Sequence, residues 1–161
     1  MTAPLSESVD LMRALDRRAL PFVRVAPNDV PHPTPYVDMD DAGAAREMTE
    51  YLIGLGHRRI GFIIGHPDHF ASGQRLVGYK AALAAHGIEF QDRYVRQGYF
   101  IFESGMEAAR ELLTQADPPT AIFASNDDMA AGVLMAAHEL GFSVPERLWE
   151  GGFDDSYNAK T

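Results

Sequence analysis

The sequence has 161 residues, a formal net charge of −9 and 46% hydrophobic residues. This size and composition are typical of a globular domain that buries a core. The negative charge argues against a bare nucleic-acid-binding surface, since contacts to phosphates need clustered Lys and Arg. The sequence contains no cysteine, which excludes disulfides, thiolate zinc sites and thiol nucleophiles. No stretch has the features of a signal peptide or a membrane span, so we expect a cytoplasmic protein without a membrane partner.

The N-terminal part is predicted to contain one short helix and one strand before a proline-rich loop. The apolar residues that lie at helical spacing are Leu5, Val9, Met12 and Leu15. Residues 21–25 (PFVRV) are typical of a strand, and residues 26–35 (APNDVPHPTP) carry several prolines. We therefore expect residues 26–35 to be a loop or linker between two structured parts.

From residue 36 onwards, predicted strands and helices alternate with short loops. The predicted strands are 36–41, 59–65, 92–98, 120–125 and 148–153. The first predicted helix begins at Asp40–Asp41 and ends at Gly56, and its apolar face consists of Ala45, Met48, Leu52 and Leu55. Three further helices are predicted at 73–86, 103–113 and 127–140. Such alternation predicts an α/β fold with a doubly wound, mostly parallel sheet. The nearly continuous apolar runs IGFII and AIFA support it, because parallel strands are buried on both faces.

Polar and aromatic residues collect where the predicted strands end, at the edge where open parallel sheets bind ligands. These residues are Asp40, Asp41, His66, Asp68, His69, Tyr99, Phe100, Asn126, Asp127, Asp128, Asp154 and Asp155. Arg75 lies in the first turn of the predicted helix 73–86, at the same edge. Carboxylates and amides can bond neighbouring hydroxyls, Arg can fork across a pair, and a ring can lie on a C–H face. This composition suits a small polyhydroxylated ligand.

Each of these residues also has a purely structural interpretation. Asn126 and Asp127 are typical of a helix N-cap, and Asp154 with Asp155 is typical of a turn. Phe100 and Phe102 could belong to the core, and Arg75 could be a solvated helix residue. His66 and His69 resemble half of a metal site but lack a convincing third ligand, so we expect no metal.

Common sequence signals of catalysis are missing. The sequence has no G-x-G-x-x-G after a strand, no G-x-x-x-x-G-K-[ST] and no G-x-S-x-G. The acidic pairs at strand ends could instead hold Mg²⁺ for phosphoryl transfer, although no Lys or Ser/Thr arrangement for a phosphate accompanies them. We expect a protein that is not an enzyme and needs no cofactor, with Mg²⁺-dependent phosphoryl transfer as an alternative.

Several segments together resemble the effector-binding core of the LacI/GalR-type family of bacterial transcriptional repressors. They are YLIGLGHRRIGFIIGHP, RLVGYKAALAAHGI, FESGMEAARELL, PPTAIFASNDDMAAGVLMAAHELGFSVPE and GFDDS, in family order across residues 21–156. The resemblance implies a periplasmic-binding-protein-like type I fold, in which two similar α/β subdomains enclose a ligand cleft. It also implies that Arg75, Asn126 and Asp154 contact a sugar effector while Phe100 packs against it. Further candidate contacts are His66, His69, Tyr99 and Asp128.

In that family, effector binding changes the angle between subdomains, and a dimer presents two helix-turn-helix headpieces to operator DNA. Helix 127–140 is apolar around most of its circumference. One face can cover the sheet and a second can pair with another copy, which supports a homodimer. The alternative is a helix fully buried within one chain. A solute receptor of the same fold, not linked to DNA, is a second alternative function.

The sequence departs from the family pattern in three ways. Gly98-Tyr99-Phe100 stands where the family usually has Gly-Asp-aromatic. Glu150 lies in the last predicted strand, where a buried carboxylate is costly unless paired, so we expect that strand to be distorted or exposed. No headpiece precedes the core. We expect residues 1–35 to be a remnant of the N-terminal subdomain and residues 36–161 an incomplete C-terminal subdomain, without operator binding by itself.

Overall fold

The computed structural model describes residues 9–27 and 31–156. Within them the helices are α1 (Val9–Arg17), α2 (Asp41–Gly54), α3 (Phe70–Ala85), α4 (Phe102–Leu113) and α5 (Asp127–Glu139). The strands are β1 (Arg24–Val25), β2 (Tyr36–Val37), β3 (Ile60–Ile64), β4 (Val95–Gln97), β5 (Ala121–Ala124) and β6 (Trp149–Gly151). None of the helices in the described part is long and apolar enough to cross a lipid bilayer.

The main sheet has the strand order β4-β3-β5-β6, and every neighbouring pair is parallel. Helices α2 and α3 pack together on one face, and α4 and α5 pack together on the other. One core cluster contains Phe62, Tyr79 and Phe123 under α2 and α3, and the other contains Ile63 and Ile122 under α4 and α5. Neighbouring residues of each central strand thus face opposite cores. The predicted doubly wound α/β fold is confirmed.

The helix termini follow the predicted signals. Asp40 caps α2, its Oδ1 accepting a hydrogen bond from the Gly43 N–H at 2.8 Å. Gly56, Gly87 and Gly141 follow three helices with φ of 100°, 66° and 73°. Such left-handed conformations are easily adopted by glycine, and they end the helices where we predicted.

The N-terminal region forms less regular structure than predicted. Of the predicted strand 21–25, only Arg24–Val25 is a strand, and it pairs in parallel with β2 in a separate two-stranded sheet. Leu5 and residues 28–30 of the proline-rich segment lie outside the described residues. The pairing of β1 with β2 crosses the predicted domain boundary at residues 35–36, and the division into two subdomains stays a prediction.

Some local predictions were wrong. Residues 92–94 form a 3-10 helix before the short strand β4, and α3 begins at Phe70, inside the segment predicted as a loop. Leu55 is exposed, whereas Thr49 occupies the buried face of α2, its hydroxyl bonded to the Ala45 carbonyl. Residue propensities and apolar periodicity do not determine where helices and strands end, because tertiary packing can add or remove a turn at either end.

The last strand is also more regular than predicted. β6 pairs in register with β5, with Glu150 opposite Ile122. Glu150 is half-buried, and its Oε1 has no hydrogen-bond partner among the described residues. Burial raises the pKa of Glu150 to about 7, with the nearby Asp127 adding to the shift. Protonation therefore reduces the cost of burying this carboxyl group, and the strand need not be distorted.

Helix α5 is not fully buried. Met129, Val133 and Ala136 lie in the core, while Leu134 and Met135 on the outer side are 42% and 44% exposed. The interpretation of this helix as wholly internal is therefore wrong.

Candidate functional site

A cavity of about 310 Å³ opens at the carboxyl edge of the main sheet. Its lining residues come from the ends of several strands and from the beginning of α3. They are Ala26, Met39, Asp41, Asp68, His69, Phe70, Ala71, Arg75, Phe100, Asn126 and Asp154. This is the edge at which parallel α/β sheets bind ligands. All four principal site residues predicted from the sequence, Arg75, Phe100, Asn126 and Asp154, line this one cavity.

Arg75 is held rigidly in the wall of the cavity. It is 6% exposed, and its Nε donates a hydrogen bond to Asp41 Oδ1 at 2.8 Å. Its Nη1 donates to the Ser125 carbonyl, and the guanidinium lies 3.7 Å above the centre of the Phe153 ring. Two hydrogen bonds and one ring face thus fix the position of this side chain. The expectation of a solvated arginine is wrong.

Asp41 lies in the first turn of α2, so the ion pair joins α2 to α3. Both side chains are 7% exposed, and the pair is among the most buried charges of the described part of the chain. A buried pair contributes little net stability, because desolvation offsets much of the attraction. Removing one partner alone, however, costs about 3–5 kcal/mol. The main consequence of this ion pair is therefore that it fixes the position of the Arg75 guanidinium.

Asn126 caps a helix and also lies in the lining of the cavity. Its Oδ1 accepts a hydrogen bond from the Met129 N–H at 3.0 Å, so it caps α5. Its Nδ2 donates to the Phe100 carbonyl at 3.1 Å, and the residue lines the cavity. A carboxamide has two donor hydrogens and two acceptor lone pairs. One donor and one acceptor position remain in addition to these two bonds.

Phe100 forms an aromatic wall through an unusual backbone conformation. Its φ is 62°, in the left-handed region that costs a non-glycine residue about 1–3 kcal/mol. The bond from Asn126 to its carbonyl supports this conformation. The ring packs directly on Gly65, where a Cβ atom would lie 2.0 Å from the Phe100 Cζ. On the other side it meets the His69 ring at a centroid distance of 5.3 Å.

Asp154 lies at the mouth of the cavity, in a loop with a φ of 107°. Asp127 stabilises this loop, since its Oδ2 accepts a hydrogen bond from the Ser156 N–H at 2.6 Å. Partial burial raises the pKa of Asp154, and the nearby Asp127, Asp41 and Asp128 raise it further, whereas Arg75 lowers it. Asp154 thus combines a solvent-accessible carboxyl group with a strained and well-anchored backbone.

The other predicted contacts divide into two groups. His69 lines the cavity, and burial lowers its pKa, with His66 and Arg75 acting in the same direction and Asp68 opposing. His66 and Tyr99 contact each other with ring centroids 5.7 Å apart, but neither lines the cavity. Asp128 lies exposed in the first turn of α5, also outside the lining. The structure therefore brings His69 to the cavity and leaves the other three predicted residues beside it.

Three residues important to the geometry were not predicted as site residues. Asp41 and Asp68 were recognised as lying at strand ends, but no pattern in the sequence pairs Asp41 with Arg75. Phe153 was assigned to the last strand, yet it follows β6 and lies under the Arg75 guanidinium. The GFDDS motif carried the relevant signal, because it places Phe153 directly before Asp154.

No group of three or more His, Asp or Glu side chains in residues 9–27 and 31–156 is arranged to hold a metal ion. The acidic residues at the strand ends thus provide no geometric support for the Mg²⁺-dependent alternative within that part of the chain.

A second cavity of about 400 Å³ adjoins the first. It is lined by Tyr36, Asp38, Met39, Asp40, Asp41, Ala42, Phe70 and Gln74. Met39, Asp41 and Phe70 line both cavities. The two spaces are therefore neighbouring parts of one surface that runs from β2 to the loop after β6.

Comparison with known proteins decides the family. The profile of a family described as a periplasmic binding protein-like domain matches residues 49–161. The chain belongs to this periplasmic binding protein-like family. The transcriptional regulator CelR of Thermobifida fusca is 40% identical over 148 residues, covering 91% of this chain and 44% of CelR. The chain thus spans less than half the length of this relative.

Solved structures of family members agree with this assignment. A CelR–cellobiose complex has a TM-score of 0.86 at 40% identity and covers 93% of this chain and 46% of that chain. A sugar-binding regulator of the LacI family from Escherichia coli, complexed with phosphate, has a TM-score of 0.85 at 35% identity. The match covers 95% of this chain and 55% of that chain. The predicted LacI-type resemblance is confirmed. These relatives are named as transcriptional regulators, not as enzymes or solute receptors.

Proposed function

We propose that this periplasmic binding protein-like chain is the effector-binding core of a LacI-type transcriptional regulator, and that its effector is a sugar. The observation that carries the proposal is the rigid placement of Arg75 in a cavity that Asn126, Phe100 and Asp154 also line. Residues of four separate elements or loops converge there. A purely structural ion pair would not require an aromatic wall and an accessible carboxyl group around it.

Each side chain has a role that matches the chemistry of a sugar. The Nη2 of Arg75 makes no hydrogen bond to the described residues and donates to a ligand hydroxyl. Asp154 accepts hydrogen bonds from hydroxyls, and the remaining positions of the Asn126 carboxamide serve either direction. The Phe100 ring packs against the C–H face of a pyranose, as aromatic side chains do in small-molecule sites. His69 extends the aromatic wall.

The relatives support this assignment. CelR forms a complex with cellobiose, and its structure covers nearly all of this chain. Cellobiose is therefore a suitable first probe, with other mono- and disaccharides beside it.

The regulatory step is proposed to be a two-state change between subdomains. Residues 1–35 would belong to one subdomain and residues 36–161 to the other, so that a ligand at the carboxyl edge biases their relative angle. In the parent regulator a helix-turn-helix headpiece would bind operator DNA in the cytoplasm. Residues 36–161 would contribute one wall of the effector site.

A homodimer through α5 is also proposed. Leu134 and Met135 are exposed apolar side chains on the outer side of α5, and Leu140, which is also exposed, is its C-cap residue. Burying them against a second copy would remove apolar area from water. Met135→Glu should shift a dimer to monomer in sedimentation experiments, and Val77→Glu, at an exposed valine of α3, is the matched control. A wild-type chain that is monomeric at high micromolar concentration would reject this part of the proposal.

The effector proposal is tested by calorimetric titration and thermal unfolding with a sugar panel that includes cellobiose. A bound sugar should raise Tm, because it stabilises the folded state by mass action. Asp154→Ala and Phe100→Leu should each weaken binding about tenfold. Asp155→Ala is the matched control, since Asp155 is exposed, adjacent and outside the cavity lining. If no sugar shifts the Tm of a cooperatively melting chain, the proposal fails.

A further inference from the structure

The two neighbouring cavities have an unbalanced distribution of charge. Their lining residues include five carboxylates, those of Asp38, Asp40, Asp41, Asp68 and Asp154. The only Lys or Arg among the described lining residues is Arg75. This surface is therefore strongly negative before the state of Arg75 is considered.

Arg75 does not offset this charge for a ligand. Asp41 holds its Nε at 2.8 Å, and both side chains are buried, so the two charges neutralise each other. The other four aspartates make no ion pair with Lys or Arg within residues 9–27 and 31–156. His69 adds no positive charge at neutral pH, because burial lowers its pKa. A ligand that enters the cavities therefore meets four carboxylates and a single arginine that is already paired with Asp41, although Arg75 also lowers the pKa of Asp154 and Asp40 caps α2.

The hydrogen bonds of Arg75 further limit how it can bind an anion. Arginine binds a phosphate or carboxylate best through two parallel N–H groups that face the anion. Here Nε is committed to Asp41 and Nη1 to the Ser125 carbonyl. The side-on pair of Nε and Nη2 is therefore closed to a ligand, while one N–H of Nη1 and two of Nη2 remain. Single hydroxyl or ether oxygens of a neutral ligand can accept from these N–H groups.

We propose that the site is selective for neutral effectors and rejects anionic sugar derivatives such as sugar phosphates and uronates. This inference rests on the proposed function, which it sharpens to one chemical class. Hydroxyl groups of a neutral sugar donate to Asp154 and Asp68, and one oxygen accepts from Arg75. A phosphate or carboxylate at the same place is repelled by the aspartates and cannot use the side-on pair of Nε and Nη2, because Asp41 holds Nε.

The test uses matched neutral and anionic pairs, titrated into the full chain by calorimetry at moderate salt. The pairs are glucose with glucose 6-phosphate, cellobiose with cellobiouronic acid, and adenosine with adenosine monophosphate. We expect at least one neutral member to bind and its anionic counterpart to bind at least about tenfold more weakly. An anionic member that binds as tightly as its neutral counterpart overturns the inference and leaves the proposed function standing.

A charge variant tests the cause of the selectivity. Asp68→Asn removes one lining carboxylate whose side chain is 76% exposed, so the substitution should not affect folding. The ratio of neutral to anionic affinity should fall about threefold or more. Glu89→Gln, an exposed residue outside both cavities, changes the net charge equally and should leave the ratio unchanged. An equal fall in both variants means that net charge causes the preference and overturns the inference. Failure of these pairs and of every sugar in the panel to bind rejects the sugar-effector function itself.

Discussion

Arginine and aspartate meet at both edges of the main sheet, in two clusters that differ in burial more than in chemistry. At the carboxyl edge, Arg75 and Asp41 lie 2.8 Å apart, each with 7% side-chain exposure. At the amino edge, Asp117 lies 3.0 Å from Arg59 and 3.1 Å from Arg93, and all three side chains are between 44% and 49% exposed. Water screens the second cluster, whereas the first is fixed and desolvated.

The difference in burial between the two clusters shows that a short distance between opposite charges does not by itself reveal what an ion pair does. An exposed pair contributes between about zero and 1 kcal/mol, and its members remain free to find other partners. In a buried pair the free energy of desolvation offsets much of the attraction between the charges. The main consequence of the pair is then the fixed position of its two side chains, and not a gain in stability. The Arg75–Asp41 pair sets where a guanidinium meets a cavity, and the Asp117 cluster only ties together the segments that precede β3, β4 and β5.

The largest effect is expected from breaking the buried pair. Asp41→Ala leaves the guanidinium of Arg75 buried without its partner, which should lower the free energy of unfolding by about 3–5 kcal/mol. Urea unfolding of the variant measures this directly. The double variant Asp41→Ala with Arg75→Met removes both charges and should recover part of the loss. A single-variant loss below about 1 kcal/mol would mean that the pair behaves like an exposed one.

Glu150 is a half-buried carboxyl group whose Oε1 has no hydrogen-bond partner among the described residues, and it should show a pH effect of nearly the same size. Burial raises its pKa from 4.5 to about 7, so folding favours the protonated form. That stabilisation is complete below about pH 4.5 and is lost as the pH rises through about 7. Glu150→Gln should therefore be more stable than wild type by about 3 kcal/mol at pH 8, and the two should converge near about pH 4. Tm values that differ equally at both pH values would contradict this.

A smaller effect is expected from the ring under the buried guanidinium. Phe153→Leu removes the aromatic face 3.7 Å from Arg75 and should cost about 1–2 kcal/mol beyond the loss of apolar area. Phe142→Leu is the matched control, because Arg147 lies 4.5 Å above that ring on an exposed part of the chain. Chemical unfolding of both variants gives the comparison. Equal losses would show that burial does not strengthen the contact.

The smallest effect is expected at the amino edge. Asp117→Asn removes the carboxylate that Arg59 and Arg93 share and should cost less than about 1 kcal/mol. The loss should shrink further in about 0.5 M NaCl, where the Debye length is only a few ångströms. Unfolding at low and high salt measures both values. A loss as large as that of Asp41→Ala would remove the distinction between the two edges.

The sequence was sufficient to predict the architecture and which edge of the sheet carries the cavity. The apolar runs of β3 and β5 predicted buried parallel strands, and Asp40 and Asn126 predicted helix starts, because these signals are local. The rule that ligands bind at the carboxyl edge then placed Arg75 and Asp154 at the same cavity. Local patterns and one topological rule thus suffice for this level of description.

The contacts that give the site its character were not predictable in this way. Asp41 and Arg75 are separated by 34 residues, and their pairing depends on how α2 packs against α3. His66, Tyr99 and Asp128 follow strands, but a position after a strand fixes the edge of the sheet and not the direction of the side chain. The left-handed φ of Phe100 likewise depends on a distant partner, the carboxamide of Asn126.

The most direct test of the account is an NMR measurement of the arginine Nε–Hε signals during a titration with cellobiose. Arg75, assigned through the signal lost in Arg75→Lys, should shift because its guanidinium contacts the bound sugar, while Arg59 and Arg93 at the amino edge should not move. Shifts at Arg59 or Arg93 without one at Arg75, or a bound sugar that leaves Arg75 unchanged, would contradict the assignment of the effector site to the carboxyl edge.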